Sequence, residues 1–116
     1  MVKRNACVFI SGYGSNLKSL ILKSRDYTFP INISLVICNN KNANGILYAK
    51  KNSIPYFLVN TKNKNFEEDI LRKIKNYKIS IICLAGFMKI ISGKFIKKLN
   101  KTILNIHPSL LPKYKG

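Results

Sequence analysis

The sequence Ala6-Cys-Val-Phe-Ile10 runs into the turn Ser11-Gly-Tyr-Gly-Ser15-Asn16 and then into Leu17-Lys-Ser-Leu-Ile-Leu22. The first segment is a continuous apolar run, which predicts a central β-strand covered on both faces. In the last segment, the apolar residues at 17, 20 and 21 are spaced for one face of a helix. The stretch therefore predicts a strand, a glycine-containing turn and a helix, the repeating unit of an α/β fold.

The turn joins the carboxyl end of a strand to the N-terminus of a helix. Free backbone N–H groups and the helix dipole favour an anion there, and glycine lets the backbone approach it closely. Gly14, Ser15 and Asn16 are therefore candidate phosphate ligands, although many strand–helix turns carry glycine and serine for geometry alone. The third glycine of the dinucleotide fingerprint is missing and no acidic residue follows the second predicted strand, so we do not expect NAD.

Strand and helix patterns alternate along the rest of the chain. They predict strands at residues 31–38, 56–59, 79–85 and 103–106, and helices at residues 43–52, 66–77 and 92–99. The second helix is expected to pack through Ile46, Leu47 and Ala49, and the last strand is expected to be buried. Alternation without hairpin signals predicts a Rossmann-like, doubly wound, mostly parallel α/β sheet in one domain, residues 1–116.

The last predicted strand carries Asn105 and leads to His107 and Pro108, where the proline ends the strand. Residues two apart on a strand point the same way, so Asn105 and His107 share a face at the carboxyl end, where open α/β sheets bind ligands. The amide can stabilise an oxyanion, and the imidazole can move a proton. A structural histidine, with its hydrogen bonds made within the protein beside a proline turn, fits the same pattern, so both interpretations stay open.

The composition restricts the class of function. Lysine and arginine total 21 against 4 acids, which gives a formal charge of +17. The lysines are scattered, and isoleucine and asparagine are also abundant. Because all three residue types have A- and T-rich codons, a biased genome accounts for them together, and we do not expect specific nucleic-acid binding. The sequence contains neither an apolar run of membrane-spanning length nor a signal-peptide pattern, so we expect a cytoplasmic protein without membrane contact.

The cysteines give no sign of a metal site. Cys7, Cys38 and Cys83 each fall in an apolar, strand-like run. Their spacing fits no common zinc pattern, and their number is odd. We therefore expect reduced, buried thiols and no bound metal.

Three segments together are similar to phosphoribosylglycinamide formyltransferase, the folate-dependent enzyme of purine synthesis. They are Ile10-Ser-Gly-Tyr-Gly-Ser-Asn-Leu17, Leu84-Ala-Gly-Phe-Met-Lys-Ile-Ile-Ser92 and Leu104-Asn-Ile-His-Pro-Ser-Leu-Leu-Pro-Lys-Tyr-Lys-Gly116. The resemblance implies transfer of a formyl group from 10-formyltetrahydrofolate to the amine of glycinamide ribonucleotide. Alternatives are a tRNA formyltransferase or a formyltetrahydrofolate deformylase, which share the Asn-x-His core, and a basic remnant that binds phosphate or nucleic acid without catalysis.

The resemblance also implies roles for individual residues. Asn105 would polarise the formyl carbonyl and stabilise the oxyanion, His107 would assist proton transfer, and Pro108 would shape the turn beside the substrate. The ribose phosphate of the substrate would lie on Gly14, Ser15 and Asn16. The folate would lie, partly through backbone groups, against Leu84, Met88, Lys89, Ile90 and Ile91.

The resemblance covers only the N-terminal portion of the family. Its members continue into a second half that carries a catalytic aspartate, whereas the acids of this chain all precede Asn105, namely Asp26, Glu67, Glu68 and Asp69. We therefore expect a truncated formyltransferase fold with exposed apolar surface at the fifth strand. We also expect impaired activity unless a separate polypeptide supplies the second half.

Overall fold

The computed structural model describes residues 2–12, 15–87 and 92–106. In this part of the chain, strands and helices alternate as the sequence predicts: β1 (Arg4–Ile10), α1 (Ser15–Ser24), β2 (Ile31–Cys38), α2 (Asn44–Lys51), β3 (Tyr56–Leu58), α3 (Phe66–Asn76), β4 (Ile81–Leu84), α4 (Gly93–Leu99) and β5 (Thr102–Asn105). None of these described helices combines the length and the apolar character that crossing a bilayer requires.

The five strands form one sheet in the order β3-β2-β1-β4-β5, and every neighbouring pair is parallel. From β1 the chain moves outward to β2 and β3, then crosses back to β4 and β5 on the other side. The predicted doubly wound, Rossmann-like sheet is therefore confirmed. The strand order reverses between β1 and β4, and open α/β sheets bind ligands outside the carboxyl ends at such a point.

The core lies on both sides of β1. Residues 6–10 are all fully buried, as the continuous apolar run predicts. Side chains at alternate positions of β1 pack against α1 and α2 on one face, and the remaining side chains pack against α3 and α4 on the other. Because helices cover both faces of β1, residues 6–10 do not alternate between apolar and polar side chains.

Two packing predictions are wrong. Leu47 is 61% exposed, because Ile46 and Ala49 occupy the face of α2 turned to the sheet and Leu47 points about 100° away from Ile46. Leu104 is 43% exposed, although the sequence predicts a buried fifth strand. It pairs with Cys83 on the α1/α2 face, and those helices contact the β2 and β3 side of the sheet. In the described structure, β5 is an edge strand with incomplete cover.

Candidate active site

The carboxyl ends of three neighbouring strands form the candidate site. Phe9 on β1 lies beside Leu84 on β4, and Leu84 lies beside Asn105 on β5. The ladder continues by one residue, since Ala85 N–H donates to the Phe9 carbonyl at 2.9 Å and Ile106 N–H donates to the Leu84 carbonyl at 2.8 Å. Because neighbouring strands are ~4.8 Å apart, this row places the backbone of Asn105 about 10 Å from the end of β1.

The predicted phosphate turn begins where β1 ends. Helix α1 starts at Ser15, so Ser15 and Asn16 belong to its first turn, where backbone N–H groups have no partner within the helix. This first turn contains no acidic residue, and Asn16 is half-buried. Gly14 lies outside the described residues. The helix terminus therefore has the polarity that a phosphate requires, and phosphate binding by these residues stays a prediction.

Asn40 holds the start of this turn from the neighbouring strand. Its Nδ2 donates to the Ser11 carbonyl at 3.2 Å, while its Oδ1 accepts from Asn42 N–H at 3.0 Å. Ser11 is buried, and it directly precedes Gly12 of the turn. Asn40 follows β2 in a polar stretch, and no sequence pattern indicates that its amide reaches the end of β1.

The chain turns sharply after β4. Gly86 has a φ of 76°, a conformation that glycine adopts without the penalty of a side chain. Phe87 then packs edge-on against Phe9, with ring centroids 5.2 Å apart and an interplanar angle of 81°. Leu84 is half-buried beside them. The other predicted folate contacts, Met88, Lys89, Ile90 and Ile91, lie outside the described residues.

Asn105 is the last residue of β5 and its side chain is exposed. It shares a face with Leu84, which packs on the α3/α4 side of the sheet. Within the described part of the chain, no hydrogen bond occupies the Asn105 amide, so the group is available to a ligand at this edge. His107 and Pro108 lie outside the described residues, and the relation of His107 to Asn105 stays a prediction.

Residues 4–116 match the family model described as formyl transferase. The chain belongs to the formyl transferase family. It is 40% identical over 117 residues to the phosphoribosylglycinamide formyltransferase of Haemophilus influenzae, a match that covers 97% of this chain and 55% of that protein. It is 43% identical over 118 residues to the human trifunctional purine biosynthetic protein adenosine-3, covering 98% of this chain and 12% of that protein.

A solved structure agrees with the formyl transferase fold. The phosphoribosylglycinamide formyltransferase of Brucella melitensis superposes with a TM-score of 0.86 at 38% identity, covering 99% of this chain and 62% of that one. The predicted resemblance and fold class are therefore confirmed. The chain spans about half the length of the Haemophilus influenzae relative, 55%.

The three thiols of this formyl transferase lie in the core of the sheet. Cys7, Cys38 and Cys83 are free and buried, as predicted. Burial raises the pKa of Cys83 to about 11 and holds the pKa of Cys7 well above its usual range, so both stay protonated at neutral pH. Among the described residues, no group of three or more histidine, cysteine or acidic side chains is placed to hold a metal ion.

A cavity among the described residues lies at the opposite end of the sheet, beside the amino ends of β4 and β5. It has a volume of about 570 Å³ and a rim that includes Lys75, Lys78, Lys98 and Lys101. The lysines lie near the C-terminal ends of α3 and α4, whose partial negative charge they balance. The cavity lies away from the row that ends in Asn105, so it is not part of the candidate site.

Proposed function

We propose that this chain carries the substrate-binding part of a phosphoribosylglycinamide formyltransferase. The reaction moves a formyl group from 10-formyltetrahydrofolate to the amine of glycinamide ribonucleotide, in purine biosynthesis. The observation that carries the proposal is the row formed by Phe9, Leu84 and Asn105, which brings an exposed amide to the same sheet edge as the α1 N-terminus. The 40% identity to the Haemophilus influenzae enzyme supports the same activity.

The α1 N-terminus would hold the ribose phosphate of glycinamide ribonucleotide. Its first turn includes Ser15 and Asn16, follows Gly14, and carries no acid that would repel a dianion. The Asn40 amide keeps the β1 exit in place by its hydrogen bond to the Ser11 carbonyl. The ligand's amine then extends along the carboxyl edge toward Asn105.

Asn105 and His107 would carry the chemistry. As the glycinamide amine attacks the formyl carbon, a carbon–nitrogen bond forms and the carbonyl oxygen gains negative charge. The Asn105 amide donates a hydrogen bond to that oxygen, and this interaction strengthens as the charge develops. His107 accepts the proton of the attacking amine and returns one to the departing folate nitrogen as the second carbon–nitrogen bond breaks.

The formyl folate would lie against Leu84 and residues 88–91. The described part of this region fits such a ligand, since Phe9, Phe87 and Leu84 form an apolar cluster beside the exposed Asn105. Gly86 is exposed beside this cluster, and a side chain at this position would meet none of the described residues within 4 Å. When bound, the folate supplies the formyl group, and Pro108 shapes the turn beside the acceptor.

A carboxylate from outside these 116 residues would complete the site. The four acids of the chain precede Asn105, and the resemblance implies a catalytic aspartate that follows it. Leu104 on β5 is 43% exposed, which is apolar surface that a further segment can cover. The complementing segment for the activity assays is the part of the Haemophilus influenzae enzyme that lies outside the region aligned with this chain.

Asn16→Asp tests the phosphate site. The new carboxylate would lie in the first turn of α1 beside the ribose phosphate, so we expect the dissociation constant for glycinamide ribonucleotide to rise by about tenfold or more. An acid in the first turn interacts favourably with the helix dipole, so the loss of binding affinity would not be caused by unfolding. Titration calorimetry measures the binding, and inorganic phosphate should compete with it.

Asn76→Asp is the matched control, because it makes the same charge change at the far end of α3, on the opposite edge of the sheet. It should leave the dissociation constant within about twofold, since exposed charges far beyond a Debye length are screened. Equal binding by Asn16→Asp and the unsubstituted chain would rule out the α1 terminus as the phosphate site.

A further inference from the structure

We propose that the cavity beside the amino ends of β4 and β5 is a binding site for a small amphipathic anion. The ligand class is a molecule that joins a phosphate or carboxylate group to an aliphatic body. The site is called the lysine cavity below, and its rim includes Lys75, Lys78, Lys98 and Lys101. The proposal goes beyond formyl transfer and does not rest on it.

Two neighbouring helix-to-strand connections build the lysine cavity. Ile81 at the start of β4 pairs with Thr102 at the start of β5, so the connections that precede these residues run side by side. Each connection follows the same pattern, with one lysine in the last turn of the helix and a second lysine three residues later. The pairs are Lys75 with Lys78 and Lys98 with Lys101. The parallel sheet therefore brings two Lys-x-x-Lys pairs from separate parts of the chain to one cavity.

The positive charge of the lysine cavity has no acidic partner within the described residues. The acids of α3 lie in its first turn, at the other end of the helix, and Asp69 pairs there with Arg72. The C-terminal ends of α3 and α4 contribute roughly half a negative charge each, so the four lysines leave a clear positive excess. Biased composition explains how many lysines the chain has, but it does not explain four around one cavity without an acid. This excess favours an anionic ligand.

Lys78 has a backbone conformation that its residue type disfavours. Its φ of 53° lies in the left-handed region, just after the C-terminus of α3, where glycine is the usual residue. Its N–H donates to the Lys75 carbonyl at 3.1 Å. Strained backbone of this kind is frequent at ligand-binding sites. A lysine at this position keeps a cation on the rim, whereas glycine would relieve the strain and remove the charge.

The floor of the lysine cavity is apolar. Ile74, Ile79 and Leu99 are buried members of the core cluster between the sheet and the α3/α4 layer, and half-buried Leu71 packs against them. The alkyl stems of the lysines extend this apolar surface toward the rim. The volume of about 570 Å³ falls in the usual range for small-molecule sites. An aliphatic body therefore fits against the floor while its anionic group lies among the lysines.

The lysine cavity and the candidate active site lie at opposite ends of β4. Ser80 lines the cavity and directly precedes the strand, whereas Leu84 ends the strand in the row with Phe9 and Asn105. At ~3.3 Å per residue, the backbones of Ser80 and Leu84 are about 13 Å apart. A ligand in the cavity therefore leaves the carboxyl edge free.

The test is calorimetric titration of the full chain with octyl phosphate, kept below the concentration at which it forms micelles. We expect saturable binding of one molecule per chain. Methyl phosphate carries the same anionic group without the aliphatic body, so it should bind about tenfold or more weakly. Added salt should weaken the binding of both probes, because the lysines supply the attraction.

The matched variants remove the same charge inside and outside the cavity. Lys75→Gln with Lys98→Gln should raise the dissociation constant for octyl phosphate by about fivefold or more. Lys62→Gln with Lys97→Gln is the control, because both lysines are exposed and neither lines the cavity, and Lys97 is the chain neighbour of Lys98. The control should stay within about twofold. Exposed lysines contribute little to folding, and circular dichroism checks that both variants fold.

Several results would overturn the proposal. They are the absence of saturable binding, equal affinity for octyl and methyl phosphate, and an equal loss of affinity in the cavity variant and its control. If Asn16→Asp weakens octyl phosphate binding and the cavity variant does not, the probe binds at the α1 N-terminus and the proposal fails. Binding to vesicles of phosphatidic acid without binding of free octyl phosphate would assign the lysines to a membrane surface and would also overturn it.

Discussion

Replacing Asn105 with alanine is expected to lower kcat for formyl transfer by about a hundredfold to a thousandfold, the usual cost of removing one oxyanion donor. The exposed amide stands at the end of β5 and has no described partner that would compete for it. Because the oxyanion exists only near the transition state, KM for both substrates should change little. The assay measures formylglycinamide ribonucleotide made by this chain with the complementing segment.

Thr102→Ala is the control for this experiment. Thr102 is an exposed residue at the amino end of the same strand, and its loss should leave kcat within about twofold. An Asn105→Ala protein that retains kcat within about threefold would remove Asn105 from the chemistry. A large rise in KM without a change in kcat would assign the amide to ground-state binding.

Phe9→Ala is expected to lower the free energy of unfolding by ~3–5 kcal/mol, out of roughly 5–15 kcal/mol for a typical domain. Phe9 is fully buried in the central strand and holds Phe87 by an edge-on ring contact. The substitution opens a cavity between β1 and the α3/α4 layer and removes that contact. Chemical denaturation followed by circular dichroism measures the loss.

Leu47→Ala provides the comparison, since Leu47 is 61% exposed and its truncation should change the free energy of unfolding by no more than ~0.5 kcal/mol. If Phe9→Ala does not fold, Phe9→Leu should still unfold at lower denaturant than the unsubstituted protein. A loss below about 1 kcal/mol for Phe9→Ala would contradict the central place of β1 in the core.

Apolar runs and apolar–polar alternation made the strands predictable. Strand β2 covers Ile31–Cys38, as predicted, because apolar residues alternate with Asn32 and Ser34 and then run without a break from Leu35 to Cys38, between Pro30 and Asn39. Strand β4 covers only Ile81–Leu84, although apolar residues extend to both sides, because pairing with β1 and β5 sets its length. Arg4 adds to β1 for the same reason, since it pairs with Ile31. The residues at which a strand begins and ends depend on the strands it pairs with, and the local sequence pattern carries no information about those partners.

Contacts between distant residues were not predictable from one sequence. Glu67 lies in the first turn of α3, where an acid interacts favourably with the helix dipole, and it also accepts hydrogen bonds from Ser92, 25 residues away. Asn40 follows β2, and its amide reaches the carbonyl of Ser11, 29 residues away. Both contacts depend on how neighbouring βα units come together at the sheet edge, which periodicity does not encode.

The carboxyl edge of the sheet was more predictable than the chemistry proposed there. A strand–glycine turn–helix pattern and a polar residue at the end of an apolar strand indicate the carboxyl edge of a parallel sheet. The structure places Asn16 and Asn105 at that edge. The Asn-x-His pattern is also compatible with a structural histidine beside a proline turn. The proposed reaction rests on the resemblance of whole segments to the formyltransferase family. For Leu104, the apolar pattern of the fifth strand predicted burial, whereas the resemblance to only the N-terminal portion of the family predicted exposed apolar surface there, and the side chain is 43% exposed.

The most direct test follows the fate of the formyl group. This chain, alone and with the complementing segment, is given 10-formyltetrahydrofolate labelled in the formyl carbon, with glycinamide ribonucleotide, with methionyl-tRNA, or with no acceptor. We predict label in formylglycinamide ribonucleotide, formed only when that acceptor is present, and little free formate. Label in methionyl-tRNA, formate released at the same rate without an acceptor, or no transfer in either preparation would contradict the proposed function.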